Sequence, residues 1–85
     1  MKEFKYVITD SEGIHARPAG ELVKAVKPFA CSIKIAKDGK SGYCKKIFGI
    51  MGLGVKCGEE VVMTFDGEDE EAAYETVSKF MQENL

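Results

Sequence analysis

The 85-residue sequence has no tryptophan, one histidine, two prolines and no long hydrophobic run. Its longest uncharged apolar stretch, Ile47 to Val55, is far shorter than the ~20 residues of a membrane-spanning helix. The start, MKEFKY, lacks the apolar segment of a signal peptide. These absences predict a soluble, cytoplasmic protein without membrane insertion. Residues 1–85 are predicted to form one domain, because the chain can build one core but is too short for two.

The cysteines and the single histidine offer little for a metal ion. Cys31, Cys44 and Cys57 are odd in number and form no C-x-x-C pair. The sequence also has no glycine loop of the P-loop type and no cluster of carboxylates for a metal ion. We therefore predict reduced structural thiols, no metal site and no cofactor.

The net charge of −2 hides an asymmetry along the chain. Residues 1–57 hold eleven Lys or Arg against five acids, whereas residues 58–85 hold one Lys against nine acids. The acidic run at 68–71 suits the start of a helix, whose dipole favours negative charge. The basic half is either a solvated face or a docking surface for an acidic protein. Nucleic acid is not predicted, since the pI is about 5.4 and no basic strand studded with aromatics occurs.

Hydrophobic periodicity predicts seven elements. Alternating apolar residues indicate four strands, and apolar residues at helical spacing indicate helices over 16–27, 46–53 and 69–83. Asp38-Gly39 predicts a tight hairpin, and the last helix is predicted to bury Ala73, Val77 and Phe80. The order βαββαβα favours an α+β fold. We expect an open-faced β-sandwich, a four-stranded antiparallel sheet with three helices on one face.

The stretch GIHARPAGELVKAV places the only histidine at the mouth of the first predicted helix. Pro18 suits the first turn, where its missing N–H would have no partner. His15 falls at or beside the N-cap, yet imidazole is a poor substitute for the oxygen of Ser, Thr, Asp or Asn. A lone histidine at a helix edge is usually an ordinary surface residue. Helix stability alone nevertheless does not explain why a histidine occupies this position.

The motif GIHARPAG resembles the active site of the HPr family, the histidine-containing phosphocarriers of the bacterial phosphoenolpyruvate:sugar phosphotransferase system. The segments CKKIFGIMGLGV and FDGEDEEAAYETVSKFM are similar to later regions of that family. The resemblance implies a monomeric phosphoryl relay, not an enzyme, in which His15 accepts phosphate on Nδ1 from enzyme I. The phosphate then passes to a sugar-specific IIA domain. Arg17 and the helix start at Ala16 and Pro18 are predicted to stabilise the phosphate.

The uncharged run after Lys46 is open to two interpretations. Ile47, Phe48 and Met51 are core residues, or a short helix leaves Phe48 and Met51 partly exposed as a docking patch. The family resemblance favours docking. The predicted docking surface then includes the lysines Lys24, Lys27 and Lys45.

Two positions depart from the family pattern. Gly20 stands where alanine is more common, which loosens a helical turn. Lys46 stands where many members carry a regulatory serine, and lysine has no hydroxyl to receive phosphate. The sequence therefore predicts a carrier without control by a serine kinase.

Two further functions remain open. A regulatory binding module of the same fold, from the nitrogen branch or a paralogue, would act through protein contacts alone, but the presence of His15 and Arg17 argues against it. A phosphotransferase with its own substrate would need a second acid–base group, and none is expected near His15.

Overall fold

The computed structural model describes residues 1–85 and shows the predicted order βαββαβα. The elements are β1 (Lys2–Val7), α1 (Ala16–Val26), β2 (Ser32–Lys37), β3 (Lys40–Tyr43), α2 (Ile47–Met51), β4 (Glu60–Asp66) and α3 (Glu70–Asn84). The predicted fold class is confirmed: three helices accompany one open, four-stranded antiparallel sheet. The second helix is shorter than predicted, because Lys46 is its N-cap and Gly52 its C-cap.

The sheet has the strand order β1-β4-β2-β3, with every neighbouring pair antiparallel. Strand β4, the last in sequence, therefore lies between β1 and β2. Met63 pairs with Phe4 on one side and with Ile35 on the other, which brings three apolar side chains to the same face. The β2–β3 hairpin turns at Asp38 and Gly39, both with positive φ, as the predicted two-residue turn requires.

The core contains 19 buried apolar residues and no buried polar or charged residue. It is formed by the inward side chains of β2 and β4 and by the apolar stripes of the helices. One core prediction is wrong: Phe80 is only partly buried, and Met81 is fully buried beside Ala73 and Val77. Both positions lie about one turn from Val77, and the tertiary packing of α3 buries Met81 more completely than Phe80. None of the three helices combines the length and apolar character that crossing a bilayer requires.

The end of α3 meets the loop that leads into α1. The carbonyl of Leu85 accepts the backbone N–H groups of Thr9 and Asp10, and the Thr9 hydroxyl also donates to it at 2.9 Å. Leu85 is itself buried. This contact between the end of α3 and the Thr9–Asp10 segment holds the loop that leads to His15.

Candidate functional site

Helix α1 begins directly after His15, as the sequence predicts. His15 is the N-cap, with extended backbone angles (φ −104°, ψ −177°) and no hydrogen bond from its side chain to the helix. The first helical bond runs from the Ala19 N–H to the His15 carbonyl, so the N–H groups of Ala16 and Arg17 precede the intrahelical ladder. Pro18 contributes no N–H and is buried. The result is a half-exposed imidazole beside backbone donors suited to an anion.

The turn before His15 is sterically fixed by Gly13. Its φ is +69°, and a Cβ at this position would lie 2.3 Å from the Val55 carbonyl oxygen. The Gly13 N–H donates to the Asp10 carbonyl at 2.9 Å, and the Ile14 N–H donates to Val55 at 3.0 Å. Only glycine fits this close approach, which holds the loop against the segment before β4.

A concavity of about 270 Å³ opens beside His15. Six residues line it: Asp10, His15, Arg17, Pro18, Glu21 and Asn84. The Arg17 side chain is 86% exposed, and its Nε lies 3.7 Å from Glu21 Oε1, one helical turn away. The guanidinium thus shares the concavity with the imidazole and is held only by a surface ion pair.

Two carboxylates flank the imidazole, which the sequence analysis did not expect. Asp10 Oδ2 lies 3.7 Å from Nε2, and Glu12 Oε2 lies 3.6 Å from Nδ1. The expectation of no second acid–base group near His15 is therefore wrong. Both acids lie within five residues of the histidine, which was the available signal. Their approach depends on the Asp10–Gly13 turn, which periodicity does not describe.

A second exposed surface surrounds α2. Phe48 is 84% exposed and Met51 is also exposed, whereas Ile50 is buried. Ile47 is partly buried against the core. The core interpretation of Phe48 is therefore wrong, since its position on a five-residue helix turns it away from the sheet.

The predicted docking lysines differ in their surroundings. Lys24 and Lys27 are exposed, as is Lys46 at the altered regulatory position. Lys45 is partly buried, and its Nζ donates to the Phe29 carbonyl at 2.6 Å. Because that bond fixes the Lys45 ammonium to the backbone, Lys45 is less free than the other three to meet a partner.

The cysteines form no candidate site. Cys31 and Cys44 are buried, Cys57 is exposed, and all three are free. Burial raises the pKa of the Cys31 thiol to about 11, with a contribution from its hydrogen bond to Asp69. Burial alone raises the pKa of Cys44 to about 12. No group of three or more His, Cys, Asp or Glu side chains is placed to hold a metal ion.

Comparison with known proteins supplies the family. Residues 2–83 match the model of the phosphorylation site of the HPr component of the phosphotransferase system. The chain belongs to the HPr family. It is 39% identical over 83 residues to the phosphocarrier protein HPr of Lysinibacillus sphaericus, across 98% of this chain and 94% of that one.

Solved structures of HPr proteins share the fold. The histidine-containing phosphocarrier protein of Mycoplasma superposes with a TM-score of 0.93 at 34% identity, covering 96% of this chain and 93% of that one. Crh of Bacillus subtilis, a catabolite repression protein, superposes with a TM-score of 0.79 at 35% identity. The overlap covers 100% of this chain and 98% of Crh, whose crystal structure is a dimer with a swapped domain.

Proposed function

We propose that residues 1–85 form a single cytoplasmic HPr domain that carries phosphoryl groups between proteins of the phosphotransferase system. His15 would accept phosphate on Nδ1 from enzyme I and pass it to the histidine of a sugar-specific IIA domain. The observation that carries the proposal is a half-exposed imidazole at a helix start, with Arg17 lining the same concavity. The chain is a relay in this proposal and catalyses no reaction of a free substrate.

The start of α1 supports a phosphate on His15 in two ways. The N–H groups of Ala16 and Arg17 and the positive end of the helix favour an anion there. The Arg17 guanidinium can exchange its exposed ion pair with Glu21 for a charge-assisted, bidentate contact with phosphate. Such an exchange costs little, because solvent-exposed ion pairs contribute only about 0–1 kcal/mol.

The carrier function is tested by phosphorylation with enzyme I, phosphoenolpyruvate and Mg²⁺, followed by measurement of intact mass. We expect one added phosphate that acid removes, as phosphohistidine requires. His15→Ala is the matched control, and it should acquire no phosphate. A native protein that remains unmodified with an enzyme I active on another HPr would refute the proposal.

The α2 surface is the proposed docking face for enzyme I and IIA domains. Phe48 and Met51 present apolar area, and Lys46 directly precedes α2. Lys24 and Lys27 are exposed at the end of α1, the helix that packs against α2. An apolar centre with a charged rim is typical of protein interfaces. Positive charge on the rim favours acidic partners and speeds their association.

We also propose that this carrier escapes control by a serine kinase. Lys46 occupies the N-cap of α2 and carries no hydroxyl. Its charge near a helix start is opposite in sign to that of phosphoserine. When the protein is incubated with an HPr kinase and ATP and then treated with acid to remove phosphohistidine, no phosphate should remain on it. Stoichiometric acid-stable phosphate on Ser41 or another serine would show instead that the regulatory site has moved.

A regulatory binding module is the second candidate function. The likeness to Crh and the exposure of Phe48 favour it, because both are compatible with action through protein contacts alone. A regulatory module would bind partners through the α2 surface without transferring the phosphate of His15 to any IIA domain.

We expect the protein to be a monomer. A swapped dimer like that of Crh would instead show twice the monomer mass in size-exclusion chromatography with light scattering.

A further inference from the structure

Asp10 is held in place more firmly than the other acid beside His15. Its N–H donates to the Leu85 carbonyl at 2.9 Å, and its carbonyl accepts the Gly13 N–H at 2.9 Å. Its Oδ1 accepts the Glu12 N–H at 2.8 Å. Three hydrogen bonds thus fix the residue and leave Oδ2 directed at His15 Nε2, 3.7 Å away.

Glu12 approaches the opposite ring nitrogen without comparable support. Its side chain is 72% exposed, against 27% for Asp10, and its carboxylate accepts no hydrogen bond. A longer, more exposed side chain loses more rotamer freedom in a fixed contact and is better screened by water. Although the two distances to the ring are nearly equal, the Asp10 carboxylate therefore has the better-defined position relative to the imidazole.

We propose that Asp10 is a positioning residue that keeps the imidazole proton on Nε2, so that Nδ1 presents its lone pair as the phosphoryl acceptor. The proposal rests on the carrier function proposed above. A carboxylate facing one ring nitrogen stabilises N–H at that nitrogen and sets the tautomer. The separation of 3.7 Å exceeds a direct hydrogen bond, and such contacts commonly tighten when a partner binds.

In the proposed role, the Asp10 carboxylate also stabilises the positive charge that the imidazole ring gains during phosphoryl transfer. The Nδ1 lone pair forms the bond to phosphorus while the bond from phosphorus to the donor atom of enzyme I breaks, and that electron pair returns to the donor. The proton stays on Nε2 throughout. The ring consequently gains positive charge, and Asp10 lies opposite the N–H that shares this charge.

Matched variants separate the roles of the two acids. Asp10→Asn and Glu12→Gln each remove one negative charge, and in Asp10→Asn the amide carbonyl of the new side chain can still accept the Glu12 N–H. The amide NH₂ then faces Nε2 and favours an unprotonated nitrogen there. We therefore expect Asp10→Asn to reverse the tautomer preference towards Nδ1–H, while Glu12→Gln leaves Nε2–H in place. Glu68→Gln, in the turn before α3 and therefore at the other end of that helix from Leu85, controls for net charge.

The tautomer is read by long-range ¹H–¹⁵N correlation spectra of the neutral ring, where the single histidine needs no assignment. Phosphoryl transfer from enzyme I should fall about tenfold or more in kcat for Asp10→Asn, and remain at the native rate for Glu68→Gln. Melting temperatures report the folding of each variant. An unchanged tautomer ratio in a folded Asp10→Asn protein would overturn the proposal. Because the spectra need no enzyme I, a native protein that takes no phosphate would refute only the carrier function.

Discussion

Helices α1 and α2 begin alike but have different surroundings. Each has an N-cap residue in extended conformation whose side chain makes no capping hydrogen bond, His15 for α1 and Lys46 for α2. The start of α1 lies beside a concavity and follows a turn locked by Gly13. The start of α2 lies on an open surface beside the exposed Phe48.

The difference shows that free N–H groups at a helix start are not sufficient for group transfer and that side chains must also converge there. Free N–H groups are common to both helices, but five residues of α2 provide only a weak dipole. At α1 the imidazole, the Arg17 guanidinium and two carboxylates converge because tertiary contacts fix the preceding loop. In the proposed function, group transfer therefore belongs to the start of α1 and partner contact to α2.

Of the variants considered, Gly13→Ala should have the largest effect, because it disrupts the turn that distinguishes the start of α1 from that of α2. A methyl group there would meet the Val55 carbonyl oxygen and the Lys56 Cα, and the backbone would also be strained at φ +69°. We expect a loss of about 3 kcal/mol or more in the free energy of unfolding, measured with urea. Native stability in this variant would mean that the turn is not held against the segment before β4.

Arg17→Ala should remove the guanidinium that α1 places in the concavity beside His15. The side chain is exposed, so folding should be unaffected. Transfer from enzyme I to the carrier should slow by roughly ten- to a thousandfold, the range for loss of one preorganised charge contact. Rapid-quench kinetics tests this, with Lys40→Ala, an exposed cation on β3 outside the concavity, as the control. Unchanged transfer by Arg17→Ala would exclude Arg17 from the site.

Phe48→Ala should sharpen the assignment of α2 to docking. Since Phe48 is 84% exposed, the melting temperature should change by less than about 4 °C. Affinity for enzyme I, measured by calorimetry, should fall about tenfold or more if this ring anchors the interface. Val7→Ala provides the control, because it truncates an exposed apolar side chain on β1, away from α2. A sharp drop in melting temperature with unchanged affinity would contradict the docking role.

Gly20→Ala should give the smallest change, in the stabilising direction. A Cβ at Gly20 would meet no atom within 4 Å, and the residue lies inside α1. Alanine lowers the entropy cost of the helix, so we expect a gain of about 0.5–1 kcal/mol in unfolding free energy with unchanged transfer kinetics. Destabilisation would show that this turn of α1 is more crowded than the structure indicates.

The sequence predicted the site unevenly, and the reasons are physical. The position of His15 at a helix start followed from local signals, chiefly Pro18 and the apolar spacing of α1. The choice between Phe80 and Met81 did not, because both fall on the apolar side of a 3.6-residue period and only the tertiary packing of α3 separates them. The exposure of Phe48 was likewise undecided until α2 had a defined orientation.

The sequence by itself determined the elements, their order and the residues at the mouth of α1, because periodicity, turn residues and helix boundaries are local properties. The tertiary structure alone decided that β4 lies between β1 and β2, and that Asp10 and Glu12 flank the imidazole. Those outcomes depend on contacts between distant segments, such as Gly13 with Val55 and Asp10 with Leu85. No short stretch of sequence contains both partners of such a contact.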